Sequence, residues 1–167
     1  MDTAWSRPSA RSSAARPDHN GWVSQQKIRV RPAGPGDRDQ VWPLARALAT
    51  SYVVERPAFN RSFASLLTRE DAILLVAGSP GGQVVGYLLA TSHPAFHANG
   101  LVAWVEEVMV AEPARGTGVG RQLMAAAEAW ARRRGARYVA LATRRAAPFY
   151  QALGYEDSAV YFKKPLT

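Results

Sequence analysis

The sequence predicts a single mixed α/β (α+β) domain, and three observations predict it. Its 167 residues suit one hydrophobic core, and 47% hydrophobic with 20% charged residues is the balance of a globular chain. Short apolar runs alternate with amphipathic runs at helical spacing. In the second half these runs follow the order strand, turn, helix, strand, and the turn is rich in glycine.

Residues 1–26 are rich in Ser, Arg, Ala and Pro and have no hydrophobic period, so they read as a mobile tail before a domain at 27–167. Trp5 and Trp22 are unusual in such a tail and could pack onto the domain surface. Residues 27–32 alternate, with Ile28 and Val30 on one face, which predicts a first strand. Glycines at 34 and 36 break it, and Asp37 is placed to cap a helix carrying Val41, Leu44, Ala45 and Leu48. A second helix is expected over 58–68. The apolar run 72–77, the turn 78–82 with Pro80, and the run 84–90 read as a hairpin. Residues 92–100, with His93 and His97, read as a polar loop.

The run 101–110 has the Val, Leu and Trp content of a buried strand, yet it carries Glu106 and Glu107. A long helix is expected from 118 to 134, with Val119, Leu123, Ala126, Ala127 and Trp130 in one stripe and Gly135 as its stop. A strand at 138–142, a short helix at 146–153 and a closing strand at 155–163 complete the order.

Composition excludes several function classes. There are no cysteines, so disulfides, thiolate-bound metal and a thiol nucleophile are excluded. No apolar run approaches the roughly 20 residues that span a bilayer. Arg7, Arg11 and Arg16 are followed by no apolar block of the secretory type, so the expectation is a cytoplasmic protein with no membrane partner. The net charge of +8 raises a nucleic-acid partner, with Arg132, Arg133, Arg134, Arg144 and Arg145 as phosphate contacts. No helix-turn-helix, zinc-finger or RNA-recognition pattern accompanies it, so nucleic acid is not the expected partner. The same charge would attract a polyanionic cofactor.

The turn Arg115, Gly116, Thr117, Gly118, Val119, Gly120 follows a strand and opens a helix. The first N–H groups of a helix lack intrahelical acceptors, and its dipole adds partial positive charge there. Glycines let the backbone approach a phosphate, and Arg115 and Arg121 add full charges. The turn is neither of two better-known phosphate motifs. A P-loop would need Gly-Lys where Arg121 and Gln122 stand, and a dinucleotide fingerprint would need Gly or Ala at Arg121.

These residues resemble the GNAT superfamily of N-acetyltransferases. Arg115, Gly118 and Gly120 satisfy its pattern of Arg or Gln, two variable residues, Gly, one variable residue, then Gly or Ala. The segment Ala146, Ala147, Pro148, Phe149, Tyr150, Gln151, Ala152, Leu153, Gly154, Tyr155 resembles a second family phrase further along. The resemblance is clear over 101–163, rests on element order over 28–90, and leaves out the tail. It implies a mixed sheet that splays open beside its central strand, with acetyl-CoA as co-substrate in the gap. The turn from Arg115 to Arg121 would hold the pyrophosphate, and the backbone of Met109 and Val110, following Val108, would pair with the pantetheine arm. Phe149 and Thr143 are further implied cofactor contacts, although the family often has Asn at the place of Thr143. A small-molecule amine or a protein amino group would be the acceptor, and a second copy of the chain is a candidate partner.

Acetyl transfer to an amine needs a proton acceptor, polarisation of the thioester carbonyl and a proton for the leaving thiolate. Glu106 and Glu107 are the candidates for the first role, and the resemblance favours Glu106. In a regular strand only one of two neighbours faces a given side, which a bulge would alter. Tyr150 is the implied acid for the thiolate, and the Val110 amide is placed to serve the carbonyl. His93 and His97 suggest a metal pair only superficially, because Pro94 lies between them and no third ligand is evident; no metal is expected. Trp104, Phe96 and Tyr161 could line an acceptor pocket. A non-catalytic acyl-CoA-binding module would keep the glycine turn but would not need Glu106 or Tyr150.

Overall fold

A computed structural model describes residues 28–50 and 52–166. The tail at 1–26, with Trp5 and Trp22, lies outside the described residues. The elements are β1 (Arg29–Pro32), α1 (Arg38–Leu48), α2 (Arg56–Leu66), β2 (Ala72–Gly78), β3 (Val84–Ala95), β4 (Gly100–Val110), α3 (Val119–Arg133), β5 (Val139–Leu141) and α4 (Ala147–Gln151). The strands form one five-stranded sheet in the order β1-β2-β3-β4-β5. The first four are antiparallel neighbours, and β5 runs parallel to β4. The mixed α/β class is therefore the observed one.

Alternation along the strands separates two cores. Leu88 and Ala90 of β3, with Ala103 and Val105 of β4, meet α3 through Val119, Leu123, Met124, Ala127 and Trp130. On the other face Tyr87 joins Leu74 and Val76 against Val41, Leu44 and Ala45 of α1 and Phe63 of α2. The predicted α3 stripe is thus the packing face, with Met124 and Ala131 added and Ala126 only partly buried.

Four expectations change. Asp37 does not cap α1 with its side chain. Its carboxylate instead takes two guanidinium bonds from Arg31 at 2.7 Å and the Gly34 amide at 2.8 Å, which clamps the β1–α1 corner. The second helix starts at Arg56, ahead of the expected position, because Pro57 fits a first helical turn. The expected loop at 92–100 is mostly strand: His93 and Pro94 pair with Val102 and Leu101. Pro94 fits because β2 reaches only to Thr91, so the missing N–H of Pro94 faces no strand on that edge. The closing strand at 155–163 does not form, and Val160 (78%) and Phe162 (88%) lie exposed. Strand-forming residues need a ladder, and none is offered to this segment.

β4 and β5 pair only through Ala103, Trp104 and Val105 with Val139, Ala140 and Leu141. Beyond Val105 the β5 side of β4 is unpaired, so the sheet parts there. This is the splay expected from the resemblance.

Candidate active site

The register of β3 and β4 slips where they reach the carboxylates. Ala90 faces Val105 and Leu89 faces Glu107, which leaves Glu106 without a partner. The extra residue is a β-bulge, and it changes which face each side chain takes. Before it, Ala103 and Val105 face α3; after it, Val108 and Val110 do. Glu106 and Glu107 consequently both turn to the α1–α2 face. Glu106 Oε1 accepts from Thr91 Oγ1 at 3.0 Å, and Glu107 Oε2 accepts from the Tyr87 hydroxyl at 2.6 Å. The regular-strand expectation that only one could face the cleft is corrected by the bulge.

Tyr87 is 1% exposed. Burial first, and then the Glu107 carboxylate, push its phenol well above the ordinary tyrosine value. It therefore stays protonated and donates to Glu107. Sequence reading misses this residue, since only the strand register links Tyr87 to Glu107.

A cavity of about 830 Å³ opens on this face between α1, α2 and the sheet. Val41, Leu48, Phe59, Phe63, Leu74 and Leu89 make much of it apolar, and Glu107 and Tyr87 lie on its sheet floor. The aromatic residues expected to line an acceptor pocket are not in this lining. Phe96 and Tyr161 are exposed because they lie beyond the packed faces of the sheet, and Trp104 is half-buried on β4.

The Ala111 amide donates to Val85 O at 2.8 Å, so the Ala111 and Met109 backbone groups point toward β3. Alternation then turns the N–H of Val108 and Val110 into the gap beside β5. Met109, expected to pair with a pantetheine arm, thus turns its backbone groups to β3, and the free edge in the gap belongs to Val108 and Val110. Val110 O already accepts from Arg115 Nε at 3.1 Å.

At the end of the gap Gly116 (φ 76°) and Gly118 (φ 87°) adopt the left-handed conformation. A Cβ at either would meet nothing within 4 Å, so the space over the turn is open. Thr117 Oγ1 bonds Ala114 O at 2.7 Å and braces the turn. The first backbone bond of α3 runs from Gln122 to Gly118 (3.1 Å), leaving the Val119, Gly120 and Arg121 amides without intrahelical acceptors. The Arg121 side chain is exposed beside them, whereas the Val119 side chain is buried and serves packing. Open space, free amides and nearby cations fit a pyrophosphate.

Phe149 closes this end: its ring would lie 3.1 Å from a Cβ at Gly120, near Val110. Tyr150 packs edge-on against Phe149 and Tyr155, with centroids 5.0 and 6.0 Å away. Burial raises its phenol above the ordinary value, so it carries its proton at neutral pH. Thr143 Oγ1 accepts the Ala146 amide at 3.1 Å and shapes the entry to α4. His97 contacts the Tyr138 hydroxyl at 2.9 Å, and His93 lies within β3. In the basic run at the end of α3, Arg132 bonds Glu128 (3.1 Å) and Arg134 bonds Ser92 Oγ (3.0 Å). Among the described residues no helix is long and apolar enough to cross a membrane.

A sheet parted beside β4, with open space and free helix amides at one end of the gap, is an arrangement suited to a long, anionic ligand. The particular family follows from comparison. Residues 40–155 match the model of the acetyltransferase (GNAT) family, and the chain belongs to that family. Aminoalkylphosphonate N-acetyltransferase from Salmonella typhimurium is 33% identical over 143 residues, covering 82% of this chain and 90% of the relative. A solved structure described as a transcriptional regulator from Bacillus halodurans C-125 superposes with TM-score 0.73 at 28% identity, covering 84% of this chain and all (100%) of the other. An acetyltransferase from Trypanosoma brucei shares the fold at TM-score 0.72 and 23% identity, covering 84% of this chain and 100% of that one. The protein is an N-acetyltransferase of mixed α+β fold.

Proposed function

We propose that the chain transfers the acetyl group of acetyl-CoA to a primary amine held in the cavity, by direct attack with both substrates bound. The β4 bulge supports this most strongly: Glu107 lines the cavity, and Glu106 is next to it at the bulge, bonded to Thr91 on the same face of the sheet. Acetyl-CoA supplies an activated thioester. The Val119, Gly120 and Arg121 amides, with Arg115 and Arg121, hold its pyrophosphate, and the Val108 and Val110 edge aligns its arm. Thr143 and Phe149 border the gap. The Salmonella relative's named substrate class brings a small aminoalkyl compound forward as acceptor.

The two carboxylates divide the work. Glu107, fixed by Tyr87, attracts the ammonium with its remaining oxygen. Glu106, exposed at the bulge, takes the proton through water. The amine nitrogen then bonds the acetyl carbon, the carbon–sulfur bond breaks, and the nitrogen's second proton leaves through water, which makes good the proton that Tyr150 gives up. The Val110 N–H stabilises the carbonyl oxygen, and Tyr150 protonates the departing thiolate.

Steady-state kinetics of single variants test this division. Glu106→Gln should lower the maximal rate, while Glu107→Gln should mainly raise KM. Tyr150→Phe should slow turnover about tenfold or more with acetyl-CoA affinity little changed. Near-normal rates in all three variants would assign these groups to packing and the proton steps to solvent.

A further inference from the structure

The α2 wall of the cavity carries a feature that the reaction does not use. Ala58, Arg61, Ser62, Ser65 and Arg69 all line it from α2 and the turn after it. Spacings of three and four place Ala58, Arg61, Ser62 and Ser65 along one face of α2, and Arg69 follows in the turn. Ala58, Ser62 and Ser65 are small and leave room. The hydroxyls and guanidiniums supply donors.

The two arginines differ. Arg69 is engaged by Asp71 through bonds of 2.8 and 2.6 Å. Arg61 is exposed and makes no hydrogen bond or ion pair among the described residues. The Ser62 and Ser65 hydroxyls likewise have no partner there. Arg56, earlier on the same helix, is held by Asp39. Glu55, immediately before α2, also touches the lining, about 9 Å from Arg61 along the helix axis. The cavity is therefore polarised: an acidic floor at Glu107, apolar side walls, and a basic, hydroxyl-bearing wall on α2.

We propose that the acceptor is an aminoalkyl acid: a primary ammonium, an apolar spacer, and an oxyanion that Arg61, Ser62 and Ser65 bind. This rests on the acetyl-transfer reading above and names the substrate class of that same site. The polarity acts twice. It draws the ammonium to Glu107, and it opposes the reversed pose, in which the oxyanion would face Glu107 and Glu106. Guanidinium and hydroxyl donors suit carboxylate and phosphonate alike, so the oxyanion is the shared chemistry.

The test compares matched amines with acetyl-CoA: ω-amino carboxylates, ω-aminoalkylphosphonates, and n-alkylamines of the same spacer length. The acids should show kcat/KM at least about tenfold above the neutral amines, as a charge-assisted contact implies. Arg61→Gln should raise KM for the acids about tenfold or more, leave kcat nearly unchanged, and leave KM for the neutral amines unaltered. Preference for phosphonate over carboxylate, or the reverse, would tell a tetrahedral from a planar oxyanion. Equal use of acids and neutral amines, or Arg61→Gln without selective effect, overturns the proposal while leaving the acetyl-transfer reading intact. If no amine reacts and acetyl-CoA gives no thermal protection, the acetyl-transfer reading fails, and the acceptor class fails with it.

Discussion

Tyr87 links the core to the chemistry. Its ring fills the α1–α2 side of the sheet, and its hydroxyl ends on Glu107 at 2.6 Å. Because folding raises its pKa, the native state keeps a proton above pH ~10 that the unfolded chain loses. The unfolded state then binds fewer protons, so stability falls as pH rises. This residue alone should cost about 1.4 kcal/mol per pH unit in that range. Below pH ~10 both states hold the proton and the contribution is constant. Tyr87→Phe should lower stability by about 1–3 kcal/mol at neutral pH, because Glu107 loses its donor. The variant should also show a shallower alkaline decline, by one proton's slope. Urea unfolding measured across alkaline pH checks both, and an unchanged slope would mean that Tyr87 ionises as freely in the native state as outside it.

Between elements, Gly86 of β3 sits close to both β4 and α3. A Cβ at Gly86 would lie 2.9 Å from Met109 O and 3.3 Å from both the Leu123 and Val119 side chains. A backbone oxygen in the β3–β4 pair cannot step aside as a flexible side chain can. Gly86→Ala should therefore destabilise by about 1–3 kcal/mol, despite the smaller entropy that alanine loses on folding. Gly120→Ala meets the Phe149 ring at 3.1 Å and the Val110 side chain at 3.9 Å, with no backbone atom among them, and gains about 1 kcal/mol of helix propensity. Its stability should stay near that of the parent, so thermal melts of the two variants should separate clearly. The helix stripe on α3 and the β2–β3 hairpin are legible in the sequence because their signals are periodic and local. The bulge at Glu106 is not. It depends on Leu89 meeting Glu107 while Ala90 meets Val105, a relation between two strands that neither strand records alone. The strand expected at 155–163 fails for a related reason: residues such as Val160 and Phe162 favour a ladder but cannot supply its other half.

Across the whole molecule, the bulge and the splay give one strand two working sides. The α1–α2 face of β4 looks into the cavity, and its β5 edge looks into the gap that ends at the glycine turn. The turn is legible in the sequence, since Arg115, Gly118 and Gly120 sit between a strand and a helix. The cavity wall on α2 is not, because Arg61 and Ser65 gain meaning only in a cavity that Glu107 also lines. If the turn holds a pyrophosphate, acetyl-CoA at about 100 times its Kd should stabilise the native state by about 2.7 kcal/mol. For a domain of this size that is a rise in Tm of roughly 10 °C. Gly118→Asp is the control. At φ 87° an aspartate is strained by about 1 kcal/mol, while its charge at a helix N-terminus returns some of that cost. The ligand-free variant should thus melt close to the parent. Its carboxylate would nevertheless lie among the amides proposed for the pyrophosphate, so the protection should vanish. Full protection of the variant would move the anion away from α3. Loss of the folded state without ligand would instead show that Gly118 is needed for the turn itself, and Arg121→Glu, which leaves the backbone intact, would then carry the test.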